Sequence, residues 1–198
     1  MSDPGADFET IFKTYRPKIH RYITRLIGNS EAEDITQEVF IKISKSLQNF
    51  NQKSRISTWI YKIATNATID RFRSSSYKNE KNYIPEDELL AEDKAAGTDK
   101  RVLTMDQKLI ENEMNECITS FIYNLPENYK TVLVLSELEG LKNRELSEIL
   151  GISLDTVKIR LHRARARLKK ELECHCDFYH TEESHLACEP TKTTPKFK

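Results

Sequence analysis

Three of the four cysteines and three of the five histidines in this 198-residue chain fall within fifteen positions, at Cys174, His175, Cys176, His180, His185 and Cys188. Thiolate and imidazole ligands suit zinc, copper(I) or cadmium. A Cys-x-Cys pair with a further cysteine about a dozen residues on can close a compact metal loop, although the spacing is not that of a standard zinc finger. Cys174, Cys176, His180, His185 and Cys188 are therefore the candidate metal ligands. The same residues also admit a thiol redox switch or a tail with no ligand, and the sequence leaves all three readings open. The fourth cysteine, Cys117, stands alone on an amphipathic segment and reads as a small buried core residue.

A second constellation lies just upstream, over residues 143–165. A short amphipathic segment, Gly151 and a longer basic segment follow one another, the order of a helix-turn-helix. Gly151 suits the tight turn and Ser153 suits the cap of the second helix, while Leu146, Ile149, Leu150, Ile152, Val157 and Leu161 form the wedge between the helices. The second helix then presents Asp155, Thr156, Lys158, Ile159, His162 and Arg163 near its N-terminal half, the part that enters a major groove. Lys158 and Arg163 are the candidates for reading guanine edges. Arg160, Arg165 and Arg167 are placed to neutralise phosphates, and Ile159 suits a thymine methyl.

The elements that must position these residues repeat at helical spacing, with no useful strand-like alternation, which predicts an all-α protein. Phe8, Ile11, Phe12, Tyr15, Ile19, Tyr22, Ile23 and Leu26 make one apolar stripe ended by Gly28-Asn29. A second helix is expected from about Ala32 to Leu47, and a third from about Ser57 to Ser74 with Trp59, Ile63, Ala67 and Ile69 inward. Between them these suggest a compact domain over 1–75. Residues 76–103 read as a flexible acidic linker, 104–172 as a second small helical domain with a winged-helix-like helix-turn-helix, and 173–198 as the Cys/His-rich tail, ending in a disordered Pro/Lys/Thr stretch.

The formal charge is zero, yet this is a cancellation. Residues 42–78 carry eight Lys/Arg against one acidic residue and 142–171 nine against four, while 80–116 carries eleven Asp/Glu against five Lys/Arg. Two basic blocks thus flank an acidic one, as befits separate jobs along the chain. No apolar run approaches the roughly 20 residues of a membrane span, and the N-terminus lacks signal-peptide features, so the expectation is a cytoplasmic protein with no membrane partner. With no phosphate loop, no nucleophile beside a base and no paired catalytic carboxylates, the chain reads as a binding protein and not an enzyme.

In the N-terminal domain, Asp34, Gln37, Glu38 and Ile41 fall at i, i+3, i+4 and i+7, a mostly acidic stripe offset from the buried face and suited to docking. On the third helix Lys62, Asn66, Asp70 and Arg73 share a polar side near Trp59 and Tyr61, and the loop before it holds Phe50, Lys53, Arg55 and Ser57. Aromatics on which bases stack, mixed with cations that track phosphates, suit single-stranded DNA.

The strings AEDITQEVFIK (32–42) and STWIYKIATN (57–66), with Leu125-Pro-Glu leading into the helix-turn-helix, resemble the extracytoplasmic-function (ECF) sigma factors, over about residues 8–75 and 117–172. The resemblance implies a factor that binds core RNA polymerase and directs promoter-specific initiation, needing no cofactor for promoter recognition. By it, Asp34, Gln37, Glu38 and Ile41 would dock on the clamp helices of the largest polymerase subunit. Phe50, Lys53, Arg55, Ser57, Trp59, Lys62, Asn66, Asp70 and Arg73 would serve the minus-ten element. Asp155, Thr156, Lys158, Ile159, Arg160, His162, Arg163 and Arg167 would serve the minus-thirty-five element, with the same domain on the flap of the second-largest subunit. An anti-sigma factor is a further partner that the family implies. The tail is similar to cysteine-rich extensions of some ECF sigma factors that sense metals directly. From the residues alone, a conventional helix-turn-helix regulator binding an operator without polymerase is the alternative.

Overall fold

The computed structural model describes residues 7–51, 54–74, 117–180 and 186–191. The linker expected at 76–103 lies outside them, as do Lys53, His185 and the final residues from 192.

Three helices build the N-terminal part: α1 (Phe8–Ile27), α2 (Asn29–Ser46) and α3 (Ile56–Arg73), with a single 3-10 turn at Leu47–Asn49. The stripe on α1 buries Ile11, Ile19, Tyr22, Ile23 and Leu26 as its spacing predicts, but Phe12 stays exposed. Between α1 and α2 the chain reverses on Gly28 alone, at φ 90°. The positive φ favours glycine there, and the Tyr123 hydroxyl would lie in contact with a Cβ at 3.4 Å.

The inward face of α3 matches expectation at Ala67 but not at Trp59, Ile63 or Ile69, which are only partly covered. Ile60, Tyr61, Ala64, Thr65, Ala67, Thr68 and Phe72 are buried. The helix is packed on more than one side, against α1 and α2 and also against the C-terminal part. Two threonines can be buried there because their hydroxyls donate to carbonyls one turn back, Thr65 to Tyr61 O at 2.7 Å and Thr68 to Ala64 O at 2.9 Å.

The C-terminal part comprises a helical stretch α4 (117–123), α5 (Glu127–Leu133), α6 (Asn143–Leu150) and α7 (Leu154–His175). After α5 the chain widens into one π-type turn, Val134–Leu138, closed by Glu139 N–H donating to Val134 O at 3.0 Å. Such a turn inserts a residue into the helical register and changes where the following side chain points.

The Cys/His-rich tail adds a short hairpin to the all-α architecture, while the Pro/Lys/Thr stretch expected to be disordered lies outside the described residues, from 192 on. Cys176–His180 (β1) and Leu186–Pro190 (β2) pair antiparallel, with Cys176 opposite Pro190 and Phe178 opposite Cys188. Strands of five residues with charged positions carry too little alternation to stand out in sequence. Apart from this hairpin the described structure is all-α.

One apolar cluster runs through both helical parts: Leu26 and Ile27 of α1, Ile60 and Ala64 of α3, then Leu125, Tyr129, Val132 and Leu133, and on to Leu146, Val157 and Leu161. The two parts are therefore packed together. Among the described residues no helix is long and apolar enough to cross a membrane.

Candidate nucleic-acid interface and docking face

α2 buries Ile35, Val39 and Ile43 on one side, which turns Asp34, Gln37, Glu38 and Ile41 outward; all four are exposed, Ile41 by 54%. Glu38 is held along the helix by Lys42 at 2.6 Å. Beside this stripe Phe8, Phe12, Gln37, Phe40, Ile41, Ser44 and Lys45 line an open groove, where Phe12 meets Phe40 edge-on at 5.0 Å between centroids. The face thus joins acidic groups to an apolar trough.

Of the residues expected to meet single-stranded DNA, Lys62, Asn66, Asp70 and Arg73 form an exposed row along α3. Phe50 and Trp59 pack against each other with their rings tilted by 40° and centroids 5.0 Å apart, both half-buried, and Ser57 is half-buried as well. Arg55 is exposed, with its guanidinium 3.5 Å from Glu145 on α6. Tyr61, expected next to the polar row, is instead buried.

The helix-turn-helix is built by local chemistry. Gly151 takes the left-handed conformation at φ 66°, ψ 31° and ends α6. Ser153 Oγ accepts from the Thr156 N–H at 3.1 Å and shares a hydrogen bond with the Thr156 hydroxyl at 2.8 Å, so Thr156 belongs to the cap as much as to the exposed face. Leu146, Ile149, Val157 and Leu161 are buried between the helices, with Leu150 and Ile152 partly covered. Asp155, Lys158 and Ile159 are exposed, Ile159 by 51%, and Arg160, His162, Arg163 and Arg167 are half-buried along the same helix. Lys158 lies 3.3 Å from Asp155, and Arg165 is tied to Glu137 at 2.6 Å.

Sequence reasoning missed a polar seam between the two helical parts. Glu139, immediately after the π-type turn, has a side chain only 3% exposed. It accepts from Arg25 at 2.8 Å and from the Tyr61 hydroxyl at 2.6 Å, with Arg21 at 4.0 Å. Burial, with the Glu139 carboxylate beside it, pushes the Tyr61 phenol up, so it stays a proton donor. Nearby the buried Lys130 ammonium donates to Leu26 O at 3.1 Å and lies 4.4 Å from the Tyr123 ring centroid. Tyr123 in turn donates to Ile27 O at 3.1 Å. No local pattern in the sequence signals these hydrogen bonds, whose partners are 78 to 114 residues apart.

The thiols also group differently from expectation. The sulfurs of Cys117, Cys176 and Cys188 all lie within 4.8 Å of one another, with Cys117 and Cys176 at 4.0 Å. Cys117 is half-buried and part of this group, not a solitary core residue. Cys174 is exposed in the last turn of α7 and stands outside it. His175 is turned toward Glu171 O at 3.1 Å and the Phe121 ring. His180 ends β1, its side chain lying, like His185, outside the described residues. Burial and the adjoining thiols push Cys176 up to about 12, and burial also raises Cys188.

Residues 11–77 match the family described as Sigma-70 region 2, and residues 115–168 match Sigma-70, region 4. The chain is 37% identical over 177 residues to the ECF RNA polymerase sigma factor SigW of Bacillus subtilis, covering 83% of this chain and 88% of that protein. It is 31% identical to the ECF RNA polymerase sigma-E factor of Haemophilus influenzae, covering 84% and 87%. Its fold is similar to the sigma factor RpoE in complex with the anti-sigma factor NepR from Bartonella quintana, with a TM-score of 0.59, 20% identity, and coverage of 84% and 97%.

Proposed function

This chain belongs to the ECF sigma factors, which bind core RNA polymerase and direct promoter-specific initiation, and from that premise we propose how its surfaces divide the work. The observation that carries the proposal is the pair of outward faces on opposite parts of the molecule: the acidic stripe of α2 and the capped N-terminal half of α7.

Asp34, Gln37 and Glu38 grip the clamp helices of the largest polymerase subunit, and Ile41 seats an apolar contact beside them. Phe50, Arg55, Ser57, Trp59, Lys62, Asn66, Asp70 and Arg73, together with Lys53, capture the minus-ten strand, the half-exposed Phe50–Trp59 pair offering aromatic surface to a base. Lys158 and Arg163 read base edges of the minus-thirty-five element with Ile159 and His162 beside them, while Arg160 and Arg167 meet phosphates. The domain carrying α7 docks on the flap of the second-largest subunit. The chain supplies recognition, and the chemistry of transcription belongs to the polymerase.

The two elements, by their names, are centred about 25 base pairs apart, about 85 Å of duplex. Two parts sharing one apolar cluster and the Glu139 seam do not reach that far while joined, so promoter engagement separates them. The chain between Ser74 and Cys117 has the reach for it, since 43 extended steps cover about 140 Å. The packed arrangement is also a form that an anti-sigma factor could hold, as NepR is found on RpoE. An operator-binding regulator independent of polymerase is not favoured, because it leaves the region 2 match over 11–77 without a role.

Transcription from a promoter pool with bacterial core polymerase tests this reading. Initiation should appear only with the protein added, and Asp34→Lys with Glu38→Lys should abolish core binding while leaving the fold intact. Core binding by that double variant at wild-type strength would overturn the assignment of the α2 face.

A further inference from the structure

We propose that Cys117, Cys176 and Cys188 form a three-thiolate site for one thiophilic metal ion of the zinc(II) type, which staples the C-terminal hairpin to the first described helix of the DNA-reading domain. This goes beyond the sigma-factor assignment and does not depend on it.

The geometry comes from three separate elements. Cys117 is the first described residue of α4, Cys176 is the first residue of β1, and Cys188 sits in β2. The register sets Cys176 opposite Pro190 and Cys188 opposite Phe178, so the two hairpin cysteines are diagonal neighbours on one face of the ribbon. Cys117, 59 residues before Cys176, meets them there. A tetrahedral ion with metal–sulfur bonds near 2.3 Å holds its sulfurs about 3.8 Å apart. The Cys117–Cys176 separation of 4.0 Å is nearly that, and the longest separation within the group, at most 4.8 Å, closes with a small side-chain rotation. Three protein sulfurs leave a fourth position for water or an incoming ligand, and an all-sulfur set selects a soft or borderline ion.

The hairpin has a reason to be stapled. Two five-residue strands are marginal in water without further support. Phe178 and Tyr179, its large aromatics, are exposed, whereas Cys176 is buried at 4% exposure. The ribbon is therefore anchored through its cysteines and not through its aromatic side chains. A bond from Thr191 N–H to His175 O at 2.9 Å continues it against the end of α7. Cys174, one residue before the last helical residue, has the right chemistry but faces solvent and stands apart. The site also lies about 20 Å along α7 from Arg163, the nearest of the base-reading residues. The ion thus orders the tail and touches no base-reading residue.

The experiment is a zinc titration of the full chain, reduced and metal-free, against a chromogenic competing chelator under exclusion of oxygen. Cadmium serves as a second probe through its thiolate charge-transfer absorption. One ion per chain is expected. Cys117→Ser and Cys188→Ser should each weaken binding on the order of 100-fold or more, and Cys174→Ser should bind as the wild type does. Far-ultraviolet circular dichroism checks that each variant keeps its helices. Limited proteolysis should cut the tail of the metal-free protein and spare that of the zinc form. Wild-type zinc affinity in Cys117→Ser would overturn the proposal, as would a loss in Cys174→Ser equal to that in Cys117→Ser. A Cys117–Cys176 disulfide in anaerobically purified protein would assign the cluster to redox chemistry instead.

Discussion

Two polar sets of residues in this chain, each containing a carboxylate, serve opposite ends. On α2, Asp34, Gln37 and Glu38 stand in water, where an acidic group costs little and is available to a partner. At the seam, Glu139, Arg25 and Tyr61 are gathered out of water, where each group depends on the others for its hydrogen bonds. The exposed set should govern binding with little effect on stability, and the buried set should do the reverse.

The largest expected effect tests the seam. Glu139→Ala strands Arg25 and the Tyr61 hydroxyl in a mostly buried site, and should lower stability by about 2–4 kcal/mol, read as the urea midpoint of the full chain. The same variant should have a larger radius of gyration by small-angle scattering, since the links between the parts are cut. An unchanged radius would mean that apolar packing alone holds them. Lys130→Met comes next. It keeps most of the side-chain volume but removes the donor to Leu26 O and the cation near the Tyr123 ring, at a cost of about 1–3 kcal/mol by the same denaturation.

Ser153→Ala removes a cap and should cost about 1 kcal/mol, with a parallel loss of affinity for duplex carrying the minus-thirty-five element because Thr156 loses its anchor. The smallest effect belongs to Glu31 and Arg71. A forked hydrogen bond from the Arg71 guanidinium, at 2.5 and 2.7 Å, holds the Glu31 carboxyl below its usual 4.5. A carboxyl lowered in the folded state adds stability that is full above its unfolded value and drains as pH falls through the lower folded one. Arg71→Gln should therefore lose stability near neutral pH and show a shallower decline below about pH 4.5 in acid titrations followed by circular dichroism.

The comparison also marks what was legible in the sequence. The α2 stripe could be read because helical spacing alone separates Asp34, Gln37, Glu38 and Ile41 from Ile35, Val39 and Ile43. The helix-turn-helix could be read because its turn, cap and wedge are local. The seam could not, since Glu139 is one acid among 31 acidic residues until the π-type turn aims it at Arg25 and Tyr61. The inward face of α3 was displaced for a related reason: a helix covered on more than one side has no single apolar stripe, and Thr65 and Thr68 are buried by virtue of bonds to their own helix.

The cysteines show the same division. Their clustering near the C-terminus, and the chemistry three thiols can do, follow from residue type and spacing. Which three thiols meet does not. Cys174 and Cys176 are two apart, yet the end of α7 falls between them and sends one to solvent and the other inward, where Cys117 waits from 59 residues away. By itself the sequence determined the helices, the turn chemistry and which residues of α2 and α7 face outward, because each is set by interactions within a few residues. Tertiary structure alone decided the buried seam and the thiol cluster, because contacts between distant residues depend on how the helices pack, and side-chain identity carries no record of that.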